Sequence, residues 1–129
     1  MKIEKKYGKT PFEAIKTIGI NESIMYLNSL SSNDNKVILY HRIHSTSIGI
    51  SKPIDCYEIY KEGGYKEYLF INVYADENCT KIPEGYAKAT TNIKPINYRG
   101  ILIYKTFGVN YRIKNFPFDL IKKIKNGIF

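Results

Sequence analysis

The chain has 129 residues, of which 43% are hydrophobic and 25% charged, a balance that excludes a disordered polymer and suits one domain spanning 1–129. No apolar run approaches the roughly 20 residues needed to cross a bilayer, and the opening Met1-Lys2-Ile3-Glu4-Lys5-Lys6 lacks the apolar stretch of a signal peptide. A cytoplasmic protein without membrane contact is expected, and the net charge is +8.

In chain order, Thr10-Pro11-Phe12-Glu13 joins a capping hydroxyl, Pro at the first helical position and Glu three residues after the Thr. That pattern predicts a short helix with Phe12, Ile15 and Ile18 on its apolar side, closed by Gly19. Asn21 is placed to cap a second helix with Ile24, Leu27 and Leu30 in one stripe. Ser31 to Asn35 read as a loop. From Lys36 the period becomes two: Val37, Leu39, His41 and Ile43 alternate with Ile38, Tyr40, Arg42 and His44, which predicts a strand. Residues 45–53 read as a loop or an irregular edge.

Ile54–Lys61 and Tyr65–Tyr74 flank Gly63-Gly64 and predict a hairpin. Pairing Glu62 with Tyr65 would put Tyr57, Ile59, Tyr68 and Phe70 on one face. Cys56, Leu69, Ile71 and Val73 would then share the other. Asp76–Gly85 reads as a connection and Tyr86–Thr91 as a weak strand. A second hairpin is expected from Arg99–Thr106 and Val109–Lys114, turning at Phe107-Gly108. Pro117 at the first position, Asp119 in the first turn and the stripe Leu120, Ile121, Ile124 predict a final helix before Gly127. Together these elements predict an α+β fold. Its sheet is mainly antiparallel with about five or six strands, beside two short N-terminal helices and one C-terminal helix.

The charge is unevenly distributed. Lysine, isoleucine, asparagine and tyrosine are the residues of A- and T-rich codons, so the total alone says little. Residues 1–84, however, hold eleven basic and eleven acidic side chains, whereas residues 85–129 hold nine basic side chains and one acid, Asp119. Codon bias does not remove acids from one third of a chain.

Alternation on Val109–Lys114 places Asn110, Arg112 and Lys114 on one face. Depending on register, either Arg99 and Lys105 or Tyr104 would join them. A positive strip, or a cation beside an aromatic plane, suits a phosphate-bearing ligand. Arg112 is the leading residue, because its planar fork grips phosphate in two places. The competing account is a lysine-rich edge that merely discourages strand pairing. Lys122, Lys123 and Lys125 complement the dipole of the final helix without any ligand.

Twelve tyrosines without a tryptophan invite a base-stacking platform of Tyr57, Tyr68, Phe70 and Tyr74, but the RNP1 pattern is missing and core packing explains them as well. His41 and His44 are the acid–base candidates. Three apart on a regular strand, they point to opposite faces and cannot share a metal. A metal-independent ribonuclease would draw on His44, Arg42 and Tyr40, and on His41 only if a bulge turned it outward. Gly8-Lys9-Thr10 lacks the upstream glycine of a P-loop. Cys56 and Cys79 are read as reduced thiols, and the sequons at Asn21 and Asn78 as irrelevant in the cytoplasm.

The leading expectation is a non-enzymatic binding module for nucleic acid or a phosphorylated nucleotide, using Arg99, Tyr104, Lys105, Asn110, Arg112 and Lys114, with no cofactor and no metal. The alternatives are a small ribonuclease of toxin type centred on His44, and an inhibitor or adaptor for an acidic protein surface, of the kind phages and mobile elements encode. Oligomeric state is not specified by the sequence.

Overall fold

The computed structural model describes residues 3–4, 6–47, 52–63 and 65–126. In order these form β1 (Ile3–Glu4), a 3-10 turn (Pro11–Glu13), β2 (Ile15–Lys16), α1 (Ile20–Asn28), β3 (Leu30–Ser32) and β4 (Leu39–Thr46). There follow β5 (Ile54–Lys61), β6 (Tyr65–Asn72), β7 (Ile82–Pro83), β8 (Tyr86–Lys88), β9 (Ile96–Tyr98), β10 (Ile101–Ile103), β11 (Phe107–Val109) and α2 (Phe118–Lys125).

The main sheet has five strands in the order β11-β4-β5-β6-β2. Its centre is antiparallel, but β11 runs parallel to β4 and β2 parallel to β6. The expectation of a mainly antiparallel sheet is thus corrected to a mixed one. Short turns dictate antiparallel pairing only between strands adjacent in sequence. Both edges are filled by two- or three-residue segments from distant parts of the chain, which carry no such constraint. Three two-stranded pairs surround the sheet: β1 with β7, β3 with β8, and β9 with β10.

The expected first helix is also corrected. Thr10 does cap a turn, its Oγ1 accepting from the Glu13 N–H at 3.3 Å, but the chain becomes extended at Ala14. Ile15 is wholly buried as part of a strand, while Phe12 and Ile18, its supposed helical neighbours, are exposed. The run Ile15-Lys16-Thr17-Ile18 is rich in β-branched side chains, which lose rotamer freedom in a helix. Gly19, with φ of 90°, opens α1 instead of closing a helix before it. Leu30 has left the helix for β3.

Both faces of the central strands are covered. Tyr40, Tyr57, Ile59, Leu69 and Ile71 pack with Leu27 of α1 in one core. Leu39, Tyr60, Val109, Phe116 and Leu120 belong to a second, under α2. In the β5–β6 hairpin Lys61, not Glu62, pairs with Tyr65, and this one-residue difference exchanges the faces of one strand relative to the other. Tyr57 faces Leu69 across the ladder, whereas Tyr68 lies opposite Glu58 and Phe70 opposite Cys56. The supposed platform of Tyr57, Tyr68, Phe70 and Tyr74 is therefore divided. Tyr57 is in the core, and Tyr68 is on the other side of the sheet.

The second expected hairpin does not form. The chain turns at Arg99-Gly100, with φ of 51° and 88°, so that Ile101 pairs with Tyr98. Positive φ at both central positions is the two-residue turn whose twist suits a hairpin. Phe107-Gly108, taken for the turn, lies inside β11. A Cβ on Gly108 would sit 2.3 Å from both Cδ1 and the carbonyl oxygen of Tyr40. This glycine serves close strand approach, not chain reversal. Among the described residues no helix is long and apolar enough to cross a membrane.

Candidate functional site

The site begins with an irregularity in β4. Arg42 pairs with Tyr57 and His44 with Cys56, so Ile43 is an extra residue, a β-bulge. Regular alternation would send His41 and His44 to opposite faces. The bulge turns His44 instead onto the face of His41 and Glu58, as bulges beside functional sites often re-aim a side chain. Tyr40 and Arg42 lie on the opposite face, where Tyr40 is wholly buried and donates to Asn28, and Arg42 is 3.5 Å from Asp55. These two are thereby separated from His44.

His41 is buried and fully engaged. Its Nδ1 accepts the Ile113 N–H at 2.8 Å, so the ring proton is on Nε2, which donates to Glu58 Oε1 at 2.8 Å. The ring stacks on Phe116 with centroids 3.9 Å apart. Burial holds the imidazole below its ordinary value against the opposing pull of Glu58, and the charges of Arg112 and Lys66 depress it further. A histidine kept neutral by folding binds its proton more readily when unfolded. Stability is therefore expected to fall as pH drops through about 6.5, the value of free histidine. Denaturant midpoints at pH 7.5 and 5.5 measure this loss, and His41→Gln should remove most of it.

Around this pair opens a cleft of about 720 Å³ lined by His44, Glu58, Lys66, Tyr68, Arg112 and Lys114, among others. Lys66 and Tyr68 come from β6, while Arg112 and Lys114 lie on the segment after β11 that is pinned by the Ile113–His41 bond. A second cleft of about 720 Å³ holds Arg99, Tyr98 and Phe118, and it shares Lys66, Asn115 and Phe116 with the first. The two adjoin at those three residues. Arg99 lies 5.1 Å from the Tyr98 ring centre and 5.9 Å from that of Phe118, and Lys122 lies 5.5 Å from the latter. The four ion pairs among the described residues take their basic partners from Lys36, His41, Arg42 and Lys61. None of the nine basic residues beyond Glu84 enters one. Glu58, already bonded to His41, is the one acid among the residues lining these clefts.

Of the residues singled out from sequence, the structure thus brings Arg112, Lys114 and His44 to one cleft and Arg99 to the cleft adjoining it. Tyr104 and Lys105 line a separate, largely apolar groove of about 470 Å³ with Leu102 and Ile124. Asn110 is exposed just beyond β11. The single strip expected of Arg99, Lys105, Arg112 and Lys114 requires the hairpin that does not form. Sequence reading missed Glu58, Lys66, Tyr98, Phe116 and Phe118, and named Tyr68 only as part of an aromatic platform that the fold divides. The pattern Lys66-x-Tyr68 on a strand was the available signal, because both point to one side whatever the register.

Comparison with protein-family models, curated proteins and solved structures finds no match to this chain.

Proposed function

We propose that this protein binds single-stranded nucleic acid along the two joined clefts. The observation that carries the reading is that the two clefts share lining residues and together hold Lys66, Arg99, Arg112 and Lys114, exposed and without ion-pair partners among the described residues, with the exposed rings of Tyr68 and Phe118 in the same linings. Cations along a groove track a phosphate backbone, and aromatic faces stack on bases that are not held in a duplex. The free thiols Cys56 and Cys79 suit the reducing cytoplasm, where such a ligand is abundant.

A salt titration with a labelled oligodeoxythymidylate tests the reading. Four phosphate contacts predict a log–log slope of about −3, since each contributes roughly 0.7 on a single strand. A flat response, or no binding at low salt, overturns it. A partner retained from lysate after nuclease treatment, with no oligonucleotide bound, would replace it with an acidic protein surface.

A further inference from the structure

The bulge at Ile43 does more than expose a histidine. His44 pairs with Cys56, and Glu58 stands two residues further along β5 on the same face. Diagonal neighbours of this kind lie about 7–8 Å apart between Cα atoms, so both side chains can reach one phosphodiester. They differ in what holds them. His41 occupies Oε1 of Glu58 and fixes the carboxylate, while His44, on the neighbouring strand of the same wall, is exposed. Lys66 and Arg112 line the same cleft, where negative charge would gather on a phosphate under attack.

We propose that the cleft cleaves RNA by internal transesterification, with Glu58 as general base and His44 as general acid. This rests on the nucleic-acid reading above. The Glu58 carboxylate takes the proton of a ribose 2′-hydroxyl, and the 2′-oxygen forms a bond to phosphorus. The bond from phosphorus to the 5′-oxygen breaks, and that oxygen takes a proton from the His44 imidazolium. The products are a 2′,3′-cyclic phosphate and a 5′-hydroxyl, with no oxidant or co-reactant required. Lys66 and Arg112 stabilise the extra charge on the phosphorane. His41 is a positioning residue: with its Nδ1 taken by the Ile113 N–H and its Nε2 proton given to Glu58, it has no lone pair left to serve as base. Tyr40 and Arg42, on the opposite face, have no part in the reaction.

The test uses the full chain in chelator with an end-labelled twelve-nucleotide RNA and the DNA of the same sequence. Cleavage of the RNA to ends carrying 2′,3′-cyclic phosphate, with the DNA bound but intact, is expected. Glu58→Gln, which keeps an acceptor for His41, and His44→Ala, at an exposed position, should each slow cleavage about a hundredfold or more. Melting curves of both establish that they fold. If Glu58→Gln does not fold, His44→Ala decides alone. RNA bound and left intact overturns the proposal while sparing the binding reading. Equal cleavage by wild type and His44→Ala overturns it as well, by identifying a contaminating nuclease. Failure to bind either oligonucleotide defeats both readings together.

Discussion

Gly108→Ala is expected to cost about 3 kcal/mol or more of folding stability, near the upper end for forced overpacking. The methyl group would meet the Tyr40 ring at 2.3 Å and the Tyr40 carbonyl oxygen at the same distance. Backbone cannot swing aside as a flexible side-chain tip can, so β11 must lift from β4. For a domain of ordinary stability, about 5–15 kcal/mol, that is a large fraction. The useful comparison is Gly100→Ala, at φ of 88° with nothing within 4 Å of the added methyl. It should cost about 1–2 kcal/mol, the conformational penalty alone. Urea denaturation of the two variants separates steric exclusion from backbone preference. Equal losses would show that Gly108 is not the tight contact described.

Simultaneous replacement of Lys66, Arg112 and Lys114 by alanine is expected to weaken oligonucleotide binding about a thousandfold. A hydrogen bond to a charged group contributes about 1.5 kcal/mol, and three such losses correspond to roughly that factor. The salt slope should flatten by about 2, because three phosphates are no longer neutralised. The matched control removes Lys88, Lys105 and Lys125, exposed residues of which the last two line the apolar groove. Net charge changes equally in both triple variants. If binding responds to the particular surface, the control stays within a few-fold of the parent. Equal weakening would reduce the effect to overall charge.

Legibility from sequence followed the locality of each signal. Ile54–Lys61 was read with its observed bounds, and α2 was read from its stripe of Leu120, Ile121 and Ile124, because period and turn chemistry are written in consecutive residues. Register was not legible. Whether Glu62 or Lys61 faces Tyr65 depends on which apolar face each core accepts, and both faces here are apolar. The helix expected after Thr10 failed for a related reason: a correct cap was outweighed by the demand of the sheet edge for Ile15. Gly108 was read as a turn because glycine permits both a reversal and a close approach, and only the position of Tyr40 distinguishes them.

The site shows the same division. The uneven charge of the last third was visible, and Arg99, Arg112 and Lys114 were named from it. Their companion Lys66 belongs to the part of the chain where basic and acidic residues balance, so the charge asymmetry gives no signal for it. The bulge at Ile43 leaves no mark in a run that alternates cleanly from Val37 to His44. It arises from pairing with β5, so the shared face of the two histidines could not be deduced locally.

The bond from the Ile113 amide to His41 spans 72 residues. One wall of the cleft is made from β4 to β6 and the other arrives with residues 112–116. During synthesis the histidines and Lys66 therefore leave the ribosome well before the segment that brings Arg112 and Lys114. Until that segment docks, the growing polypeptide carries Lys66 and Arg99 but not Arg112 and Lys114, and His41 lacks the amide that fixes its ring.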